Sequence, residues 1–459
     1  NPGVVVRPDA LDAHLRRPAA KPVLASKTGC SFGHDHGDFT EAVHRCVGVG
    51  KCRADSSAAG GFMCPSYQAT KDEKDVTRGR SRVLQEAING TLVGGLRSPE
   101  VAASLDLCLS CKACSSDCPA GVDMAQFKSE VLHRKYRGRI RPIDHYVLGW
   151  LPRWARLVGV MPRFVNSVLS VPFIARSALF FGGMDKNRKL PQFAEQPFRK
   201  WRKSPEGRAA SSQLVSDARP TVVLWTDSFS DAMSPSVPQA ALKVLHSAGF
   251  NVIVPEQEAC CGLTWISTGQ LDGARRRLEQ LLGVLGPYAV NGIPILGLEP
   301  SCTAVLRSDL LDLFPTDPRA KAVANATRTL AELLTEHAAS EGVDWVVPDL
   351  SDVTAVVQPH CHQHSVMGFG PDEKLLASAG AQIETLAGCC GLAGNFGMQR
   401  GHYEVSVAVA ENALLPALRK ASVDTVFLAD GFSCRTQADQ LADVKGVSLA
   451  ELIAARLNE

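Results

Sequence analysis

The 459-residue sequence is short of the signals that mark most enzymes and nucleic-acid-binding proteins. Its formal net charge is only +2, so its composition gives no electrostatic case for a nucleic-acid partner. It contains no catalytic triad, phosphate-binding loop or dinucleotide-binding fingerprint. We therefore expect substrate chemistry to take place outside this chain, and we assign no catalytic residue. The hydrophobic share of 45% is ordinary for a globular protein, and the length suits two or three domains.

An initial methionine and an apolar signal segment are also absent from the start of the sequence. We interpret residues 1–40, which open with Asn1-Pro2-Gly3, as the tail of an upstream domain and a connector. Without a secretory signal, an odd total of fifteen cysteines disfavours a disulfide framework and favours metal or redox chemistry. A cytoplasmic protein is expected, either free or peripheral at the inner face of the membrane.

All the cysteines except Cys30 fall in two blocks of seven, at 46–118 and 260–434, and the first block contains the strongest motif. The run Cys108-x2-Cys111-x2-Cys114-x3-Cys118, followed by proline, has the spacing of a bacterial ferredoxin. Three thiolates on such a tight loop hold one face of a [4Fe–4S] cluster. The motif assigns residues 41–140 to an α-helical ferredoxin domain. The alternative is a structural zinc site, but zinc sites rarely use four cysteines in one run ending in proline.

A second, incomplete run lies upstream of the first. Cys46 and Cys52 keep the outer positions of the same spacing, but Val49 stands in the place of the middle cysteine. In two-cluster ferredoxins the fourth cysteine of each run serves the other cluster. Cys64, which precedes Pro65, is therefore predicted to complete the principal cluster, whose other ligands are Cys108, Cys111 and Cys114.

The second cluster site keeps only three thiolates, those of Cys46, Cys52 and Cys118. Three alternatives are open for it. It holds a three-iron cluster, it takes a further ligand such as His44, or it is empty. In the last case Cys118 ligates the first cluster itself. One [4Fe–4S] cluster is thus the firm prediction, and a second is an open one.

Residues 141–217 are predicted to form a helical linker. Its first part, 142–183, is rich in aromatic residues, but prolines and arginines interrupt it, so no uncharged run reaches the length of a membrane span. Two interpretations remain. The helices either touch a membrane surface or a quinone-bearing partner through an amphipathic face, or they pack against the neighbouring domains.

From residue 218 onward the same order of motifs occurs twice. We assign the first copy to a lobe at 218–340 and the second copy to a lobe at 341–459. Each lobe alternates predicted strands and helices and carries a Cys-Cys-Gly triplet. The triplets begin at Cys260 and Cys389, 129 residues apart. This alternation predicts α/β lobes with parallel sheets, whose functional residues lie at the carboxyl ends of the strands.

The second lobe has the more complete set of metal ligands. We predict that it binds a metal or a non-cubane cluster, with the ligands Cys361, Cys389, Cys390 and Cys434 and with His360 and His362 beside them. The first lobe keeps only the cysteines Cys260, Cys261 and Cys302. Asp227 and Glu299 stand where its further ligands are expected. We therefore expect the second lobe, and not the first, to hold a centre.

These residues resemble the iron–sulfur proteins with twin cysteine-rich domains, which include subunits of heterodisulfide reductase, glycolate oxidase and glycerol-3-phosphate dehydrogenase. The nearest likeness is to the fused FAD-linked D-lactate and D-2-hydroxyglutarate dehydrogenases, in which a flavin domain precedes the same order of motifs. The likeness rests on both Cys-Cys-Gly triplets and on the stretches 45–52, 63–67, 77–80 and 109–114.

The resemblance implies an oxidoreductase in which an upstream FAD domain oxidises a D-2-hydroxy acid. This chain then passes the electrons to an external acceptor, either a quinone or an electron-transfer protein. FAD belongs to the upstream domain, in the same polypeptide or in another subunit, and an oligomer is expected. Two alternatives are a separate iron–sulfur subunit of a glycolate oxidase or glycerol-3-phosphate dehydrogenase complex, and a thiol–disulfide reductase of the heterodisulfide-reductase type.

Overall fold

The computed structural model describes residues 28–55, 57–211, 219–340 and 345–457. The predicted tail of an upstream domain at Asn1-Pro2-Gly3 lies outside these residues. The described chain is mostly helical, with two small parallel sheets near the C-terminal end. This architecture confirms the predicted fold class, a helical ferredoxin-type domain followed by α/β lobes.

Six helices form the N-terminal part of the described chain, with short 3₁₀ turns between them. They are α1 (Phe39–His44), α2 (Pro65–Thr70), α3 (Thr77–Asn89), α4 (Pro99–Asp106), α5 (Ala113–Asp117) and α6 (Met124–Lys135). Ser98 caps α4 by accepting a hydrogen bond from the N–H of Val101, and Asp123 caps α6 in the same way. These caps fix where each of the two helices begins.

Six further helices occupy the predicted linker. They are α7 (Ile143–Val147), α8 (Leu151–Val158), α9 (Pro162–Ser170), α10 (Pro172–Phe181), α11 (Phe198–Arg202) and α12 (Pro205–Ser211). Proline near the first position starts most of them, because its missing N–H is not needed there. No single described helix is long and apolar enough to cross a membrane, although α9 and α10, which meet at 95°, pass that test as a bent pair.

The first sheet has the strand order β2-β1-β3-β4, and all its pairs are parallel. Its strands are β1 (Thr221–Trp225), β2 (Asn251–Ile253), β3 (Ile295–Gly297) and β4 (Thr327–Arg328). The helices around it are α13 (Ser228–Ala232), α14 (Ser236–Ser247), α15 (Leu263–Ser267), α16 (Leu271–Val290), α17 (Pro300–Arg307), α18 (Asp309–Leu313), α19 (Pro318–Ala326) and α20 (Leu330–Ala338). Buried aliphatic strand residues make this sheet the centre of the first lobe.

The second sheet repeats the arrangement with the order β6-β5-β7, again wholly parallel. Its strands are β5 (Thr354–Val357), β6 (Gln382–Thr385) and β7 (Val426–Leu428). The helices are α21 (Gly370–Ser378), α22 (Tyr403–Glu411), α23 (Leu414–Lys420), α24 (Phe432–Ala442) and α25 (Leu449–Arg456), and a π-helical turn covers Gln363–Met367. In both lobes the first strand is central, which agrees with the predicted duplication.

The two lobes exchange their last helices. Helix α25, at the end of the second lobe, packs on α14 of the first, and α20, at the end of the first lobe, packs on α21 of the second. Both exchanged helices begin with a capping box, formed by Thr329 with Glu332 and by Ser448 with Glu451. The lobes therefore share one core that contains apolar residues of both sheets.

Two helices in the lobes differ from the pattern that the sequence predicts. Apolar periodicity predicts one helix over 402–418, but the chain breaks between α22 and α23 near Asn412. Pro416 explains the break, because a proline ring clashes with the carbonyl four residues earlier. Periodicity also predicts a helix over 273–285, but α16 extends to Val290 and includes Pro287 in its last turn.

Candidate iron–sulfur and metal centres

Four cysteines from two segments line one small pocket in the helical part. Cys108 and Cys111 lie in the loop between α4 and α5, Cys114 lies at the start of α5, and Cys64 immediately precedes α2. All four side chains are buried. The described lining of this pocket does not include Cys118. The structure thus brings together the four thiols predicted for the principal cluster, and four thiolates are the usual ligand set of a [4Fe–4S] cluster.

Hydrogen-bond donors point at two of these sulfurs. The guanidinium of Arg80, which is 1% exposed, donates to Sγ of Cys64 at 3.6 Å, and the N–H of Met124 donates to Sγ of Cys114 at 3.3 Å. Burial disfavours the Cys64 thiolate, but Arg80 and other donors outweigh it and lower the pKa of this thiol. Donors of this kind stabilise the anionic sulfur that binds iron, so the site suits a cluster chemically.

The position of Arg80 depends on a close approach between the backbone at Gly79 and the backbone at Glu73. A Cβ atom on Gly79 would lie 1.8 Å from the carbonyl oxygen of Glu73, so only glycine lets α3 pack this tightly. Arg80 then reaches Oγ of Ser66 at 3.1 Å and the carbonyl oxygen of Ser104 at 2.9 Å. The sequence pattern does not predict this role of Arg80, since nothing in its spacing relates it to a cysteine.

Cys46, Cys52 and Cys118 form a second group of thiols. Burial, followed by the neighbouring Cys64, Cys46 and Cys118, raises the pKa of Cys52 to about 11. His44 donates a 2.7 Å hydrogen bond from Nδ1 to the Thr40 carbonyl oxygen, while its buried Nε2 has no hydrogen-bond partner in the described chain. The three alternatives for this second site stay predictions.

The cysteine loop is attached to the first lobe through the buried Lys112, whose side chain is 4% exposed. Its Nζ lies 2.9 Å from a carboxylate oxygen of Asp123 and 3.2 Å from one of Asp309. Burial alone would lower the pKa of Lys112, but the two carboxylates outweigh it and raise this pKa. Because Lys112 lies between Cys111 and Cys114, its ion pairs fix the loop against α18.

Replacement of this lysine has a predictable cost. Lys112→Met leaves two buried carboxylates without their cation, and we expect the free energy of unfolding to fall by about 3–5 kcal/mol. Chemical denaturation of the anaerobic protein measures this change. The matched control is Lys445→Met, whose ion pair with Asp439 lies at the surface and should contribute less than about 1 kcal/mol. Equal losses in both variants would contradict the buried ion-pair role.

The second lobe contacts the same cysteine loop. Nε2 of His364 lies 2.9 Å from Oδ1 of Asp117, and the His364 ring stacks on Phe62 with centroids 4.1 Å apart. Asp117 also accepts a hydrogen bond from the N–H of Phe62 at 2.7 Å. Through this junction Cys361 approaches Cys111, whose pKa is raised by burial and then by Cys361. Cys111 and Cys361 also belong to one cluster of buried residues, so the two groups of cysteines share a core.

The four cysteines of the second lobe form a continuous series of contacts. The thiol of Cys389 interacts with Cys361 and Cys390, and that of Cys390 interacts with Cys434. Hydrogen bonds donated by the thiols of Cys389 and Cys434 lower the pKa of the Cys390 thiol. Each cysteine follows the carboxyl end of β5, β6 or β7, as the parallel sheet requires. The structure thus assembles the predicted thiolate set.

His360 and His362 flank this set. Their ring nitrogens and Sγ of Cys361 all lie within 4.8 Å of one another. Burial lowers the pKa of both imidazoles, that of His362 to about 4. Both rings are therefore neutral at pH 7, which is the form that binds a metal. The His360 Nε2 lies 3.3 Å from Oγ of Ser433.

Gly391 determines the conformation of the second cysteine doublet. Its φ of +88° and the 2.1 Å separation between an added Cβ and the Ser406 carbonyl oxygen leave no space for a side chain. Its N–H donates to Sγ of Cys389 at 3.4 Å. The doublet can therefore direct both sulfurs inward only because glycine follows it.

The first lobe also gathers its three cysteines. The thiol of Cys261 interacts with both Cys260 and Cys302. The two carboxylates expected as further ligands are already engaged in hydrogen bonds. Asp227 caps α13, and Glu299 accepts from the Ser301 hydroxyl at 2.7 Å and from the Phe432 N–H of the second lobe at 2.8 Å. Glu299 therefore joins the two lobes.

Comparison with known proteins agrees with this geometry. Residues 42–122 match the family model of the 4Fe-4S dicluster domain, and residues 227–307 match that of the cysteine-rich domain. This chain is an iron–sulfur protein with a cysteine-rich domain. The first match contains all seven cysteines of the first block, and the second falls on the first lobe. The predicted iron–sulfur cofactor is thereby confirmed.

Several relatives share most of the chain. D-2-hydroxyglutarate dehydrogenase of Pseudomonas putida is 24% identical over 89% of this chain, and the match covers 42% of that protein. The probable glycolate oxidase iron–sulfur subunit of Bacillus subtilis is 23% identical, and the match covers 83% of this chain and 90% of that protein. The glycolate oxidase iron–sulfur subunit of Escherichia coli is 24% identical over 86% of this chain and 89% of its own length.

The chain spans less than half the length of the D-2-hydroxyglutarate dehydrogenase that it matches, at 42% of that protein. The predicted likeness to the iron–sulfur part of this group of oxidoreductases is confirmed. The chain is therefore similar to iron–sulfur subunits of glycolate oxidase and to part of a dehydrogenase.

Proposed function

We propose that this chain passes electrons from a reduced FAD, held by a partner domain or subunit, to an external acceptor during the oxidation of a D-2-hydroxy acid. The observation that carries the proposal is the junction between the two cysteine groups, where His364 pairs with Asp117 and where Cys111 and Cys361 belong to one buried cluster. A flavin takes two electrons from its substrate, whereas an iron–sulfur cluster transfers one at a time. A chain with neighbouring centres suits the single-electron stage.

The relatives support a flavin-bearing partner in two arrangements. The D-2-hydroxyglutarate dehydrogenases extend well beyond the matched region, which leaves length for a substrate-binding domain in the same polypeptide. The glycolate oxidase subunits match along nearly their whole length, as separate iron–sulfur subunits do. The choice of hydroxy acid belongs to that partner.

Anaerobic titration of the holoenzyme with D-2-hydroxyglutarate or D-lactate tests the proposal. We expect the substrate to bleach the flavin and then to reduce the iron–sulfur centres, which electron paramagnetic resonance detects. An external dye should then be reduced in proportion to the substrate consumed. Flavin reduction without any reduction of the iron–sulfur centres would contradict the proposed direction of electron flow.

The acceptor side includes an apolar surface on the linker helices. Phe164 of α9 and Phe173, Phe180 and Phe181 of α10 are between 61% and 80% exposed. Arg176 lies among the α10 aromatics and is exposed as well. Apolar rings with adjacent cations are typical of helices that lie on an anionic membrane surface. We include a peripheral membrane contact through α9 and α10 in the proposal.

Vesicle binding measures this contact. Phe173→Glu should lower the fraction of protein that co-sediments with anionic phospholipid vesicles by about tenfold, because it places a carboxylate in the apolar face. Val93→Glu is the matched control, since Val93 is 95% exposed but lies in the ferredoxin-type part. Equal binding by the two variants would contradict a contact through α10.

A further inference from the structure

Arg80 of α3 is a buried cation that has no carboxylate partner. It is 1% exposed and lines the pocket that contains the four cysteines of the principal cluster. Its guanidinium donates to the Ser104 carbonyl oxygen at 2.9 Å, to Oγ of Ser66 at 3.1 Å and to Sγ of Cys64 at 3.6 Å. In the described part of the chain, no ion pair joins this guanidinium to a carboxylate. Three polar contacts thus hold the charge in place without a carboxylate to neutralise it.

A buried charge of this kind needs a negative group beside it. Arginine stays protonated in proteins, and an isolated charge in a protein interior is costly because it loses its hydration. The negative group that the structure offers is the thiolate of Cys64, one of the four predicted ligands of the principal cluster. Four cysteine thiolates give a [4Fe–4S] cluster a net negative charge, which one further electron increases. The buried cation and the cluster site therefore complement each other in charge.

Two other cations approach the cysteine loop, but their charges are held differently. Lys112 lies between two buried carboxylates, which balance its charge. The ammonium group of Lys128 donates to the Cys108 carbonyl oxygen at 2.7 Å, and its side chain is partly exposed, so water screens its charge. Arg80 differs from both lysines because it is buried, lacks a carboxylate partner and donates directly to a sulfur.

We infer that Arg80 raises the reduction potential of the principal cluster by stabilising its reduced form through the hydrogen bond to Cys64. A fixed positive charge interacts more strongly with a site that has gained negative charge, and this interaction is screened little in a buried site. Net charge and hydrogen bonds to the sulfurs are two of the factors that set the potentials of iron–sulfur clusters. Ser66 of α2 and Ser104 of α4 keep the guanidinium in this position.

The redox step that Arg80 favours is the gain of one electron by the cluster. No bond forms or breaks in this step, and Arg80 keeps its proton throughout. The electron comes from the reduced flavin under the proposed function, and from a chemical reductant such as dithionite in vitro. The inference goes beyond the proposed function, since it concerns the affinity of the cluster for an electron whatever the donor.

A redox titration of the anaerobic iron-loaded chain, followed by electron paramagnetic resonance, measures this potential through the signal that depends on Cys111. Arg80→Gln should lower the ratio of reduced to oxidised cluster at a fixed ambient potential by about tenfold, which corresponds to a midpoint about 59 mV lower for one electron. Arg80→Lys keeps the charge and should cause less than half of this shift. The matched control is Arg188→Gln, which removes a comparably buried arginine that bonds to Gln437 of the second lobe and should leave the midpoint unchanged.

Asp75 offers a change of the opposite sign. Its side chain is fully buried, its carboxylate pairs with Lys74 at 2.7 Å, and its carbonyl oxygen lies 3.8 Å from Sγ of Cys64. Asp75→Asn removes a negative charge near the same sulfur, so the ratio of reduced to oxidised cluster should rise about threefold. A general loosening of the site would instead act in the same direction in the Arg80 and Asp75 variants.

The outcomes separate the inference from the proposed function. A parent midpoint in Arg80→Gln, or an equal fall in Arg80→Gln and Arg188→Gln, would overturn the inference and leave the proposed function standing. If Arg80→Gln does not assemble the cluster, a rise in Asp75→Asn together with a fall in Arg80→Lys supports the inference, and parent midpoints in both overturn it. Reduced flavin that does not reduce a cluster with the expected series of midpoints would overturn the proposed function while supporting the inference.

Discussion

Cys111→Ser is expected to remove the principal cluster and to destabilise the helical part of the chain. Cys111 lies in the pocket with three other thiols, so its loss leaves one iron without a protein ligand. Metal binding contributes much of the folding free energy of ligand-rich loops. We expect the iron content to fall by about four atoms per chain and the melting temperature to fall by about 10 °C.

Iron analysis, scanning calorimetry and low-temperature electron paramagnetic resonance of the reduced protein measure these changes. Cys30→Ser is the matched control, because Cys30 is equally buried but lies outside the pocket. Burial and then Glu130 raise the pKa of Cys30, so this residue is a neutral thiol that serine replaces with little change in charge. An unchanged resonance signal in Cys111→Ser would show that Cys111 is not a ligand.

The second large effect concerns the two cysteine doublets. Replacement of Cys389 and Cys390 by serine should remove the metal or cluster of the second lobe and slow electron transfer to the external acceptor. Under the proposed function, reduction of the flavin by substrate should continue in the holoenzyme, because that step takes place on the partner. The reason is the ligand set, in which Cys361 and Cys434 also contact the doublet and His360 lies beside it.

The corresponding doublet of the first lobe provides the control. Replacement of Cys260 and Cys261 by serine should leave the metal content unchanged, because only Cys302 completes that group and the nearby Asp227 and Glu299 are engaged elsewhere. Equal loss of metal in both double variants would mean a site shared between the lobes. If the metal content were unchanged in both double variants, the doublets would be packing residues and not metal ligands.

The cysteine pattern predicts a large part of this site because ligand spacing is a local property. Three cysteines separated by two residues each must lie close together, and a doublet that follows a strand must lie at the carboxyl end of that strand. The position of Cys64 in the pocket of Cys108 also follows from the pattern, through the exchange of the fourth ligand between two runs. The parallel order of both sheets follows from the alternation of strands and helices.

Tertiary pairing is less accessible from the sequence. Lys112 and Asp309 are 197 residues apart in the sequence and meet in the interior, and neither has a neighbour that predicts the other. Two sequence signals conflict at the break before α23. Pro416 favours a break, whereas the apolar periodicity on both sides of it favours one continuous helix.

Anaerobic purification of the chain, followed by analysis of iron, sulfide and zinc, shows whether the cysteines bind iron–sulfur clusters or zinc. We expect a brown protein with broad visible absorption, iron and sulfide in equal amounts, and an electron paramagnetic resonance signal on reduction. A colourless protein that contains zinc in place of iron would contradict it.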